Sequence, residues 1–170
     1  MQSFSTFFRD NAAIVIATCA LVLTAYQVSA IRRHNRLSVK PHLAFVRRRR
    51  VDSHEGALSL EVTNNGLGPA IIESLEVSFD ARKLLFSCSA ELQEKIFELL
   101  QRKIKKSSVF TFGRDDSIRK DQTVEILRLE FSVNSQGDVK EIESRFQRLA
   151  IVIHYRSIYG EPFSCDVRTQ

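Results

Sequence analysis

His154, Cys165 and Asp166 are the residues of this chain whose types could do covalent chemistry. A cysteine nucleophile needs a base within hydrogen-bond reach. His154 lies on a predicted strand, and Cys165 and Asp166 lie on the strand expected to pair with it. Nothing nearby supplies a recognisable oxyanion hole, so a histidine on a polar strand face and a small buried thiol are the plainer reading. His34 and His42 stand eight apart with no cysteine or acid between them, which is not a metal-ligand spacing. Asp115/Asp116 and Glu141/Glu143 read as solvated charges. Gly66 and Gly68 invite a phosphate loop, but no helix follows and the Lys-Ser/Thr of such loops is missing. No catalytic residue, cofactor, metal ligand or small-molecule substrate is assigned, and the chain reads as a non-enzyme.

The organising element is an apolar run. Residues 12–31 are 20 residues without a charge, followed at once by Arg32, Arg33, Arg36 and Lys40, then by Arg47, Arg48, Arg49 and Arg50. At about 1.5 Å per residue the run matches a hydrocarbon core about 30 Å thick. Phe4, Phe7 and Phe8 before it and Tyr26 near its far end suit aromatic anchors. A cleaved signal peptide is the rival reading, since Val28-Ser29-Ala30 resembles a cleavage site. The n-region lacks a positive bias, however, and the cationic stretch after the site opposes export. An uncleaved transmembrane helix at 11–31, after a tail at 1–10, is expected.

Charge sets the orientation. Lys and Arg flanking a span stay on the cytoplasmic side, so a single-pass inner-membrane protein is expected, N-terminus outside and C-terminal domain in the cytoplasm. Arg32, Arg33, Arg36 and Lys40, in a basic linker at 32–42, are the candidate contacts to anionic headgroups. Pro41 turns the chain extended at Lys40. Ala13, Ala17, Ala20, Thr24 and Gln27 share a helical face whose small residues would allow a second helix to approach. Residues 31–50 hold eight Lys/Arg and no acid, whereas 51–170 hold 16 Lys/Arg against 19 Asp/Glu. The overall +5 therefore comes from the linker region, and the domain at −3 does not support nucleic-acid binding. In a reducing cytoplasm Cys88 and Cys165 are expected to be unpaired thiols.

Past the linker the pattern becomes β. Strands are predicted at 43–51, 58–62, 71–79, 108–112, 123–133, 149–157 and 162–167, from apolar alternation and β-branched runs. The arginines at 47–50 would point to both faces of the first strand, so it belongs at an edge. Asn65-Gly66 reads as a turn that tolerates positive φ, 80–83 as another turn and 113–122 as a polar loop. Residues 90–104 carry a helical stripe of Leu92, Ile96, Leu99, Leu100 and Lys103 with Ser89 as N-cap, and a second helix is expected at 139–148. The fold class is mainly β: an immunoglobulin-like antiparallel sandwich at 43–170 with one or two helical insertions.

The anchor, the His34-Asn35-Arg36-Leu37-Ser38-Val39-Lys40-Pro41 collar and the Asn64-x-Gly66-x-Gly68-Pro69-Ala70 stretch resemble uncharacterised bacterial single-pass membrane proteins. The latter stretch is also similar to the strand–turn of immunoglobulin-like adhesion modules. The resemblance covers the anchor and the first two strands and implies no activity and no site residues. The expectation is a membrane-anchored cytoplasmic interaction module (adaptor, sensor or accessory subunit) with a protein partner or a second copy of itself. The alternative is a self-associating membrane effector, in stress or phage defence, whose β domain regulates the helix.

Overall fold

The computed structural model describes residues 11–100, 104–133 and 136–168. The chain divides into two units, Met1–Ser38 and Val39–Gln170.

The first unit contains helix α1, Ala12–Ser38, with no buried residue. It is long and apolar enough to span a membrane, with a mean hydropathy of 2.0 over an 18-residue window. Three hydroxyls inside it satisfy themselves on the preceding turn: Thr18 donates to the Ile14 carbonyl, Thr24 to Ala20 and Ser29 to Ala25, at 2.8–2.9 Å. A hydroxyl folded back in this way loses its polar penalty in hydrocarbon. Helix ends at Ser38, two residues short of the position that Pro41 disfavours.

The second unit is β-rich. In chain order it contains β1 (Leu43–Val51), β2 (Glu55–Asn64), β3 (Ala70–Phe79), β4 (Arg82–Leu84), α2 (Ser89–Leu99), β5 (Ile104–Val109), β6 (Ser117–Ile118), β7 (Thr123–Ser132), α3 (Gln136–Gln147), β8 (Leu149–Arg156) and β9 (Pro162–Asp166). One sheet has the order β1-β2-β7-β5; the other has β4-β3-β8-β9, with β6 pairing the start of β3. All pairings are antiparallel.

Alternation explains the core. Leu58, Leu60 and Val62 on β2, Leu129 and Phe131 on β7, and Ile151, Ile153 and Tyr155 on β8 are buried in one cluster that draws on both sheets. Each fully buried aliphatic or aromatic side chain of this kind contributes about 1.5–3 kcal/mol. The helices close the same core, α2 through Leu92 and Ile96 and α3 through Val139, Ile142 and Phe146.

The structure corrects several sequence expectations. Ile104 does not extend the helix of 90–104; it opens β5, which runs Ile104–Val109 rather than 108–112. Residues 101–103, where that helix would have continued, lie outside the described ones. Its N-cap is Cys88, without a side-chain cap bond, not Ser89. Asp80 and Ala81, at φ 49° and 64°, make the turn expected at 80–83, but Arg82 and Lys83 already belong to β4. The polar loop at 113–122 contains β6. Neither Asn65 nor Gly66 is among the described residues with positive φ, so that turn uses glycine for another reason.

Candidate functional site: the Asn64 clamp and the arginine edge

The Asn64-x-Gly66-x-Gly68 turn is a clamp on the first residues of the domain. Asn64 is fully buried at 0% exposure. Its Oδ1 accepts the amides of His42 at 3.2 Å and Gly66 at 3.0 Å, and its Nδ2 donates to the carbonyls of Gly68 at 2.8 Å and Ile118 at 2.9 Å. That uses the full capacity of a primary amide. The main chain adds two rungs, Asn65 N to His42 O at 2.8 Å and Leu67 N to Lys40 O at 3.0 Å. The glycines are required by close approach. A Cβ at Gly66 would lie 2.3 Å from His42 N, and one at Gly68 would lie 1.8 Å from Val39 O.

The next residue is held by the opposite sheet. Leu43 N donates to the Tyr155 hydroxyl at 3.3 Å, and the Cys165 thiol donates to Leu43 O at 3.2 Å. Tyr155 stacks on Phe163 with centroids 5.6 Å apart, and the Lys40 ammonium lies 5.2 Å over that Phe163 ring. Lys40, expected to contact headgroups, thus makes a cation–π contact on the domain's own surface. Burial raises the Tyr155 pKa, while the Leu43 amide works against the shift.

From this clamp β1 runs out as an edge strand, with Arg47, Arg48, Arg49 and Arg50 all exposed. Arg48 pairs with Glu61 at 2.7 Å, Arg49 with Glu143 of α3 at 2.8 Å and Arg50 with Asp52 at 3.4 Å. The opposite edge of the same sheet is covered: α2 lies along β5, and Gln93 Nε2 donates to Ser107 O at 2.7 Å. The two edges are therefore treated differently, one by a helix and the other by charge.

The remaining candidate residues are placed as follows. Arg32, Arg33 and Arg36 are exposed in the last two turns of α1, and Ala13, Ala17, Ala20, Thr24 and Gln27 form one exposed face of it. His154 and Cys165 do not meet. His154 pairs in register with Ser164, and Cys165 with Ile153, so the pleat turns His154 outward and Cys165 into the core. Glu141 pairs with Arg145, apart from Glu143, and Asp115 pairs with Arg156 at 2.9 Å. Among the described residues no group of three or more His, Cys, Asp and Glu could hold a metal. Glu55, Glu76 and Glu91 have lowered pKa values, in each case chiefly through a hydrogen bond from a lysine: Lys105, Lys83 and Lys95.

Sequence reasoning missed the Asn64 hub. The turn dipeptide was legible, but the bonds of its side chain reach His42 and Ile118, 22 and 54 positions away. Comparison with protein-family models, with curated proteins and with solved structures finds no match.

Proposed function

We propose that this chain is a single-pass protein of the cytoplasmic membrane, N-terminus outside, whose immunoglobulin-like domain is a cytoplasmic, non-catalytic interaction module. Arg32, Arg33 and Arg36 sit in the anionic headgroup layer. Two antiparallel sheets lining one core support the sandwich reading. The uncharged 20-residue run with its one-sided positive flank supports the span and its orientation.

The observation that carries the interaction role is the open arginine edge. A protein partner with an acidic extended segment would add to the outer half of β1, its backbone pairing along residues 47–51 and its carboxylates taking over the arginines. The ion pairs now made by Arg48 and Arg50 are with the arginine side chains 66% and 81% exposed. Pairs of this kind are worth about 0–1 kcal/mol, so they exchange readily for a partner's acids.

The test has two parts. Reporter fusions at the C-terminus should be active only as cytoplasmic reporters. A photo-crosslinking residue at Arg47 in the full chain should give a defined adduct that is lost when Arg48 and Arg50 become Glu. Recovery of a lone monomer under several detergent conditions, with no adduct, sinks the interaction reading.

A further inference from the structure

We propose that the end of the β domain at which β1 begins is itself a bilayer-docking surface, and that its occupant is the anionic headgroup layer of the membrane that α1 crosses. This rests on reading α1 as a span.

Strand direction brings the relevant loops together. β1 and β3 begin at this end, β2 finishes there, β7 begins there, and the β8–β9 hairpin turns there. Loops 65–69, 113–122 and 157–161 therefore share one end with the clamped residues 39–42. These loops carry exposed apolar side chains: Leu67 at 60%, Ile158 at 48% and Tyr159 at 47%. Exposed aliphatic and aromatic groups that share one end with basic residues suit a membrane interface.

The tips are held out by ordered backbone. Ser157 is fully buried, and its Oγ accepts the amides of Tyr159 at 3.2 Å and Glu161 at 3.3 Å. Gly160 N returns to Ser157 O at 2.9 Å, which fixes the hairpin. Leu67 is pinned through its amide to Lys40 O. The apolar groups are thus preorganised rather than folded back on the domain.

Charge does not oppose this. Arg114, Arg119 and Lys120 are exposed on the same end. Among the neighbouring acids, Asp115 is engaged by Arg156, and Asp116 accepts the Gly113 amide at 2.6 Å. Asp121 and Glu161 also lie here, so the local charge is close to balanced and the apolar tips provide the drive, the preference for anionic lipid coming from Arg32, Arg33 and Arg36 of the linker.

Chain length supplies the occupant. Only residues 32–38 separate the uncharged run from the domain. Seven helical residues reach about 10 Å, and the headgroup layer on each side of the hydrocarbon is about 5–8 Å thick. A domain whose chain is gripped from Val39 onward cannot leave that layer far behind.

The chain has no tryptophan, so Tyr159→Trp in the full-length protein gives a single reporter, with Ile158→Trp as a second one on the same hairpin. Val51→Trp, at the other end of β1 and about 27 Å away along the strand, is the control. The protein is reconstituted in bilayers of brominated phosphatidylcholine and phosphatidylglycerol. The expected result is roughly twofold quenching and a blue shift for Tyr159→Trp, with Val51→Trp unquenched, as burial about 5–10 Å into the interface requires. If both reporters are unquenched while the chain resists alkaline carbonate extraction, the docking proposal is overturned and the span stands. If carbonate extracts the chain, the span reading is overturned and the docking with it. A blue shift without quenching by brominated lipid means a protein covers the tips, which also overturns the proposal.

Discussion

Asn64 Oδ1 accepts the backbone amide of His42 at 3.2 Å, tying the first residues of the domain to the corner, 22 positions later, at which the chain passes from one sheet to the other. Because the same amide group also holds Gly66, Gly68 and Ile118, Asn64→Ala would leave two donors and two acceptors unsatisfied in a fully buried place. An unsatisfied buried group costs about 1–3 kcal/mol. A loss of at least about 3 kcal/mol is expected after partial relaxation, read as a lower midpoint in urea unfolding at unchanged slope. Asn64→Asp should be no better, since a buried carboxylate cannot donate to two carbonyls. The exposed neighbour gives the control: Asn65→Ala should stay within about 0.5 kcal/mol.

The glycines of the clamp separate close approach from backbone conformation. Gly68→Ala would put a methyl group 1.8 Å from Val39 O, and the obstacle is main chain that cannot swing aside. Gly160 has open space around it but a φ of +79°. Gly160→Ala should therefore cost about 1–2 kcal/mol, and Gly68→Ala clearly more. Hydrogen exchange gives a second readout. In Gly68→Ala the amides of Asn65 and Leu67, which bond to His42 O and Lys40 O, should exchange far faster. In Gly160→Ala they should not change.

The parts of the fold set by local pattern could be read from the residues alone. Leu43 to Val51 was legible because Pro41 ends what precedes it and alternation begins at once, and the four arginines pointed correctly to an edge. β6 was not legible, because two residues, Ser117 and Ile118, have no period; they become a strand by pairing with Ile71 and Ala70. Ile104 was misread because a helical stripe and the start of a strand look alike at one apolar residue. The clamp was half legible. Asn, Gly and Gly announced a corner, but close packing against 39–42 is a tertiary fact that only the fold supplies.

The pH dependence should have two limbs of different origin. Glu55, Glu76 and Glu91 have folded pKa values below the ordinary 4.5. Their contribution is present above that value and is lost as pH falls through the lowered one. All three are at the surface, so this acid limb should be shallow and should fade in salt. Tyr155 lies the other way, raised by burial from 10.0. Its contribution is complete below pH 10 and is lost as pH rises through the raised value, because ionisation would bury a phenolate. Tyr155→Phe should flatten the alkaline limb and, by removing the acceptor of Leu43 N, cost about 1 kcal/mol at neutral pH. Stability curves of the two proteins from about pH 2 to about pH 12 check both limbs; an unchanged alkaline limb in Tyr155→Phe would assign it elsewhere.

Thiol accessibility tests the placement that keeps Cys165 from His154. Cys88 is exposed at the start of α2, whereas Cys165 is 4% exposed, its thiol bonded to Leu43 O inside the core. In a Cys19→Ser background, a water-soluble disulfide reagent should titrate one thiol rapidly. The second should react at least about 100-fold more slowly, at a rate that follows opening of the domain. Adding urea through the unfolding transition should bring the second thiol to the rate of the first, and Cys88→Ser should leave only the slow phase. Two fast thiols in the native protein would mean that Cys165 faces solvent. The pleat would then be reversed along β9, and a thiol on the same face as His154 would become available for chemistry.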